Sequence, residues 1–483
     1  MVLTCVNRRT QKNLSTTEVR LHTHMIESTD VIKLLRFPLT DAGNAERLAL
    51  LIGQDWKYVD QIKRWLHFTG QRWEETTPEV LTVNAVNAFR EIAKAICAME
   101  TPSDKTERQQ RQNVLDWLER SENGNKLKSA ITILQGFLNT DYALFDREPF
   151  LLNTPSGTLN LKTGAMQYHN RKDLITKITT AYYHKPDSDF WERTVSEILP
   201  EEIRKFMQRF MGYSLTASTE EEKFIIACGP GGSGKGTFFE TVAKCLGDYA
   251  GVLPIDVLLS SGQYDNGNGP TPELAKLPGK RLVLSSESGR GRKLDEPKIK
   301  LLTGGDVVSA RRLHAEPFDF QPAFKLIFQT NYLPSVSDSL DHGIRRRMIT
   351  IPFVATITNR NNKLKSELAK PENLSACLYW LVQGQQEWQK NGLGEVPAEA
   401  VKMAEKFYAD CDILAQWLEE RTEPSNGALL FTKAYKDFND WLYAGSGGKR
   451  YNRNTFAEMM EKHGHHKERK TCGNVFPGIA LRM

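Results

Sequence analysis

The run Phe224-Ile225-Ile226-Ala227-Cys228 leads directly into Gly229-Pro230-Gly231-Gly232-Ser233-Gly234-Lys235-Gly236-Thr237. No other feature constrains this chain as strongly. Five apolar residues read as a buried strand. Glycines in the following loop let the backbone take positive φ and approach a ligand closely. Such a loop turns its N–H groups inward around phosphate oxygens. Phe238, Phe239, Val242 and Ala243 then start a helix, whose positive N-terminal end favours an anion. Residues 229–237 are therefore expected to bind a nucleoside triphosphate such as ATP, with Lys235 reaching the β- and γ-phosphates. The residue after the lysine is normally Ser or Thr, whose hydroxyl ligates Mg²⁺. Here it is Gly236, with Thr237 one step later. The metal is expected on Thr237, or mainly on water and distant acids.

The chain's 483 residues suffice for two to four domains. Forty per cent apolar residues and a mean hydropathy of −0.47 describe a globular protein with real cores. No apolar stretch of about 18 residues is present, so no membrane span is expected. The N-terminus lacks a signal-peptide core. Seven scattered cysteines, none at C-x-x-C spacing, suggest reduced thiols in a cytoplasm. The net charge of +5 is uneven. From Gly445 to Met483 eight cations face three acids, an excess equal to that of the whole chain. A basic end suggests a polyanion partner, against the alternative of a solvated charged face.

Residues 1 to about 40 carry no clear pattern. Trp65 to Trp73 reads as a hairpin around Gly70. Residues 79–140 show helical periodicity, 150–185 strands, and 191–213 a helical bridge. Strands and helices alternate from 214 to about 355. Helices are expected over 372–391 and 395–420. The tail from 429 reads as helix, glycine-rich turn, helix and strand, the order of a winged helix.

Within 214–355, further elements stand at the ends of apolar runs. Arg281-Leu282-Val283-Leu284-Ser285-Ser286-Glu287 is a strand ending in a carboxylate. An acid there can polarise the attacking water, directly or through Mg²⁺. Lys325 to Asn331 is another strand, and the Asn331 amide is placed to bond the γ-phosphate or that water. Gly343-Ile344-Arg345-Arg346-Arg347 precedes the strand 349–353. These arginines read either as a solvated edge or as an arginine finger for a neighbouring subunit's site. The order of loop, acid, amide and arginines is the plan of a ring ATPase with sites between subunits.

The block resembles superfamily 3 helicases, and more closely the phage and plasmid primase–helicase family related to the poxvirus primase–helicase. Lys300 to Asp306 with Ala310-Arg311 is similar to that family's segment after the acidic strand. Asn331-Tyr332-Leu333-Pro334 resembles its asparagine motif, and Gly343 to Phe353 its arginine motif, with Arg346 and Arg347 as the paired arginines. Upstream, Thr40 to Arg47 and Leu151 to Leu161 resemble its helicase-associated region.

The resemblance implies an α/β chain with an AAA+-type P-loop ATPase domain over 191–360. An α+β N-terminal helicase-associated domain is expected over 41–190, a helical linker or lid over 361–428, and a basic winged-helix domain over 429–483. It implies a hexamer unwinding DNA 3′-to-5′ in the replication of a phage, plasmid or other mobile element, in the cytoplasm of a bacterial host. Lys235, Glu287, Asn331, Arg346 and Arg347 are the implied catalytic residues, with Thr237 and Glu287 toward the metal. The family's channel hairpin matches Arg311 to Pro317, making Arg312 and His314 candidates for phosphate contacts; Lys449, Arg450 and Arg453 are the tail's candidates. Single-stranded and forked DNA and a separate primase are the implied partners. About 40 residues precede the matched region, so primer synthesis by this chain is not expected. The spaced acids Asp187/Asp189 and Asp410/Asp412 read as surface acids. Two other functions compete. An origin-binding initiator switched by ATP would not unwind alone. A nucleotide kinase would share the Gly-Ser-Gly-Lys-Gly-Thr ending.

Overall fold

The computed structural model describes residues 26, 28–260, 271–286, 292–313, 316–336, 341–355, 362–446 and 450–482. The chain divides into two compact units, Met1–Gln54 with Thr77–Leu138, and Asp55–Thr76 with Asn139–Met483. The segment expected as one domain over 41–190 thus contributes to both units.

In its described part the first unit is helical: Ser28–Arg36, Asp41–Ile52, Pro78–Ala98, Lys105–Ser121 and Gly124–Phe137. Leu34, Leu48, Leu81, Phe89, Ile92, Leu118 and Leu134 are all buried in it. The Thr40 to Arg47 stretch serves this packing. Thr40 Oγ1 accepts from Gly43 N at 3.1 Å and caps the second helix. A Cβ on Gly43 would stand 2.0 Å from Pro38 O, so only glycine fits. The fully buried Arg47 donates to Leu34 O, Phe37 O and Pro38 O at 3.1, 2.6 and 2.9 Å. It thereby satisfies carbonyls at the C-terminal end of the first helix.

The second unit is built on a parallel five-stranded sheet: β1 (Phe224–Cys228), β2 (Ala250–Val252), β3 (Leu282–Ser286), β4 (Lys325–Thr330) and β5 (Met348–Pro352). The spatial order is β5-β1-β4-β3-β2. β1 is apolar throughout because both faces are covered. Ile225 and Ala227 pack with Phe238, Phe239, Trp191 and Trp380, while Phe224 and Ile226 pack with Val283, Leu326 and Phe328. Helices α1 (Glu201–Tyr213), α2 (Lys235–Leu246) and α3 (Pro371–Asn391) belong to the first of these layers. α1 and α3 cross at two glycines. A Cβ on Gly212 would lie 2.1 Å from Gln385 N, and one on Gly384 2.0 Å from Gln208 O.

The expected hairpin around Gly70 is present as Arg64–Phe68 paired with Trp73–Thr76, and Gly70 has φ 93°. At the C-terminal end, helices Phe431–Ser446 and Arg453–Lys462 pack on strands Thr422–Leu430 and Gly473–Leu481 around Phe431, Phe438, Phe456 and Phe476. Trp417 joins this core, so its packing begins before residue 429.

A buried cation marks the far end of β4. Lys325 is 2% exposed and donates to Thr216 O at 2.7 Å. Its ammonium also lies 4.2 Å from the centre of the Tyr213 ring. Burial, helped by the nearby Arg281 charge, holds its pKa well below the ordinary lysine value. The unfolded chain then binds more protons than the folded one, so this group makes stability rise with pH up to the unfolded lysine value. Lys325→Met removes that dependence. Urea melts of both proteins at pH 7 and pH 9 should show the wild type gaining on the variant at the higher pH; equal gains would refute it.

Candidate nucleotide site

The C-terminal ends of β1, β3 and β4 lie side by side, with Thr330 opposite Cys228 and Gln329 opposite Ser286. Ligands of open α/β sheets bind outside these carboxyl ends. The glycine-rich loop leaves β1 there and folds tightly. A Cβ on Gly229 would stand 2.1 Å from Phe353 O. Gly232 and Gly234 have φ of 85° and 84°, a region that favours glycine. Gly234 caps α2, and a Cβ on it would press on Ile198 at 2.8 Å. Pro230 and Gly231 occupy the outer side of the loop, and Ser233 is buried.

Lys235 is the first residue of α2 and is 8% exposed. Its ammonium donates to Gly229 O at 2.5 Å, Pro230 O at 3.1 Å and Ser233 Oγ at 3.2 Å. A fourth acceptor, Asn331 Oδ1, stands at 3.3 Å and shares one of the three N–H groups. Two residues picked from separate strand ends are thus brought together. Burial keeps the Lys235 pKa below its ordinary value; an adjacent anion would pull it back up. Thr330 Oγ1 receives Tyr332 N at 3.0 Å and donates to Tyr332 O at 2.5 Å, which fixes the turn carrying Asn331. Glu287, expected just beyond β3 as catalytic acid and metal ligand, lies outside the described residues.

Mg²⁺ on a nucleotide needs few protein oxygens, because phosphates and waters complete its octahedron. Gly236 supplies no hydroxyl. Thr237 is half-buried one step on. The Glu240 carboxylate folds back over the gap, with Oε1 3.3 Å from where a Cβ of residue 236 would stand. Glu240 also pairs with Lys365 at 2.8 Å. Among the described residues no group of three or more His, Cys, Asp or Glu forms a metal cluster. The Thr237 hydroxyl and the Glu240 carboxylate are the protein oxygens near this gap, few enough to suit a metal that phosphates and waters also hold.

The paired arginines stand at the opposite edge of the sheet. Met348 of β5 lies opposite Phe224, the first residue of β1. Arg346 and Arg347 therefore sit a strand length from the loop of their own chain, roughly 16 Å at ~3.3 Å per residue. Both pair with Glu222 Oε2, at 2.5 and 2.9 Å. Arg346 has a side chain 59% exposed, while that of Arg347 is 11% exposed and also donates to Gly343 O at 3.0 Å. Arg345 lies over the Tyr408 ring.

The hairpin before β4 is present, with Val308–Arg311 antiparallel to Pro317–Phe320. Arg312, beside its tip, pairs with Glu75 Oε1 at 3.1 Å. His314 and Lys449 lie outside the described residues. Arg450 is largely exposed, 3.6 Å from Asp440, and Arg453 lies over the Tyr435 ring. Sequence reading missed Glu222, Glu240 and Lys365. The four-residue step from Gly236 to Glu240 on a helix was the available signal.

Comparison with known proteins now bears on this geometry. Residues 45–200 match the family described as "D5 N terminal like", and residues 227–347 match a "Family of unknown function (DUF5906)". The chain is 23% identical over 361 residues to "Putative helicase L207/L206" of Acanthamoeba polyphaga mimivirus, and 25% identical over 368 residues to "Putative helicase 121R" of Invertebrate iridescent virus 3. The chain is thus similar to the viral and phage D5-like primase–helicases. The two alignments cover 68% and 67% of this chain, but only 37% and 38% of those relatives. A third relative, "Putative primase C962R" of African swine fever virus (strain Badajoz 1971 Vero-adapted), is 24% identical over 42% of this chain and 22% of its own length. The solved apo structure of the NrS-1 C terminal region (305-718) is 9% identical, with a TM-score of 0.50, covering 91% of this chain and 99% of that one. It shows that this chain shares a mixed α/β fold with that region. Among the described residues no helix is long and apolar enough to cross a membrane.

Proposed function

We propose that this chain is an ATP-driven DNA helicase of the superfamily 3, AAA+ type, working in replication as a ring with nucleotide sites between subunits. The observation that carries the reading is the bond from the Lys235 ammonium to Asn331 Oδ1, beneath a glycine loop at the carboxyl ends of the sheet. On this reading residues 229–237 are a P-loop whose N–H groups and α2 N-terminus hold the triphosphate. Lys235 shifts from loop carbonyls onto the β- and γ-phosphates. Asn331, released in the same movement, orients the attacking water or bonds the γ-phosphate. Thr237 is the residue that would help the phosphates hold Mg²⁺, whose charge, when bound, would offset the negative charge on them.

The basic C-terminal module, with Asn452 capping the helix Arg453–Lys462, reads as a winged helix that grips DNA through Arg450 and Arg453. The hairpin tip at Arg312 is the second candidate contact. Reaching phosphate there means giving up Glu75. A hexamer, 3′-to-5′ movement, service to a phage, plasmid or other mobile element and a separate primase partner complete the proposal.

The deciding experiment is strand separation of forked DNA by the purified protein with ATP and Mg²⁺. Unwinding that stops when ATP is replaced by a non-hydrolysable analogue is expected. DNA binding and hydrolysis without strand separation would favour the initiator, and AMP-dependent ADP formation the kinase.

A further inference from the structure

A carboxylate stands where nucleotide-binding loops of this kind usually place a hydroxyl. Glu240 lies four residues, about one helical turn, beyond Gly236, on the same face of α2. Helical side chains lean toward the N-terminus, and this one returns to the gap left by the missing side chain. Its Oε1 is 3.3 Å from the position of a Cβ at residue 236, so a serine there would crowd it. Both carboxylate oxygens are held by Lys365 Nζ, at 3.0 and 2.8 Å. The two side chains are about half exposed, at 50% and 56%. A surface pair of this sort contributes little to stability.

We infer that Glu240 takes over the task of the absent hydroxyl and binds the nucleotide's Mg²⁺, directly or through one water, with Lys365 as its resting counter-ion. A carboxylate is a hard oxygen donor of the kind Mg²⁺ prefers. Gly236 suits this arrangement, because a Cβ there would push the carboxylate by a few tenths of an ångström. The inference rests on the proposed triphosphate site and adds one ligand to it.

The test reads binding rather than turnover. A fluorescent ATP analogue is titrated onto wild type, Glu240→Gln, Thr237→Val and the double variant Gly236→Ser/Glu240→Gln, with Mg²⁺ and with EDTA. Glu240→Gln should bind in EDTA like wild type but lose at least tenfold of the tightening that Mg²⁺ produces. Gly236→Ser/Glu240→Gln should recover most of it, because the hydroxyl is restored without crowding a charge. A wild-type Mg²⁺ response in Glu240→Gln, with loss confined to Thr237→Val, overturns the inference. Failure of the wild type to bind the analogue under either condition would instead overturn the triphosphate site itself. Thermal melts confirm that the exposed Glu240→Gln change leaves the fold intact.

Discussion

Lys235→Ala is expected to lower ATP affinity at least a hundredfold and to remove measurable turnover. The ammonium is almost fully enclosed and rests on three loop oxygens and on Asn331. None of these partners carries a formal charge. A triphosphate offers far stronger, charge-assisted bonds. Losing such a cation from a partly dehydrated phosphate site costs about 3–4 kcal/mol, a few hundredfold in affinity. Asn331 also loses the partner that positions it, so the hydrolytic step suffers beyond binding. Lys235→Arg separates charge from shape. Its planar fork cannot reproduce the convergence of four oxygens on one nitrogen, so it should keep the fold and recover little turnover. Fluorescent-nucleotide titration and phosphate release measure the two effects. Near-normal turnover in Lys235→Ala would remove the triphosphate site from this loop.

The sequence exposed what local chemistry dictates. An apolar run covered on both faces, glycines at positive φ and a helix start all leave marks within a few residues, so β1, the loop and α2 were legible together. Asn331 was legible as a strand-end amide, although its bond to Lys235 spans 96 residues. Other features depend on distant partners. The strand Thr422–Leu430 contains Pro424, Ser425, Asn426 and Gly427, residue types common in turns. It is a strand because Gly473–Leu481 pairs with it across an irregularity between Pro424 and Ala428. The hairpin over 64–76 left its sequence neighbours for the second unit because Trp73 N bonds Ile175 O at 2.8 Å and its indole bonds Arg171 O at 2.9 Å. Arg312 was legible as a candidate phosphate contact, but its bond to Glu75, 237 residues earlier, was not. No local pattern carries such a pairing.

Arg346→Ala is expected to cut turnover at least a hundredfold while leaving folding and nucleotide affinity almost unchanged. In the proposed ring, the sheet explains why the finger would come from a second copy of the chain. Arg346 precedes β5 while the loop follows β1, and these strands are parallel and in register. No side chain spans the roughly 16 Å of strand between them. A guanidinium at that edge reaches a triphosphate only on a neighbouring protomer. The Arg346 side chain is 59% exposed, so it can exchange Glu222 for phosphate, whereas Arg347, 11% exposed, is tied to Glu222 and Gly343. Arg347→Ala should therefore act on stability, by about 1–3 kcal/mol, because Glu222 loses its more buried partner. Lys235→Ala and Arg346→Ala damage opposite sides of one interface. Mixed in equal amounts in a cyclic ring, they generate an intact pair at about a quarter of the interfaces. Recovered turnover should approach that fraction of wild type after subunit exchange. Full activity of Arg346→Ala alone, with no recovery on mixing, would mean that each protomer hydrolyses nucleotide by itself.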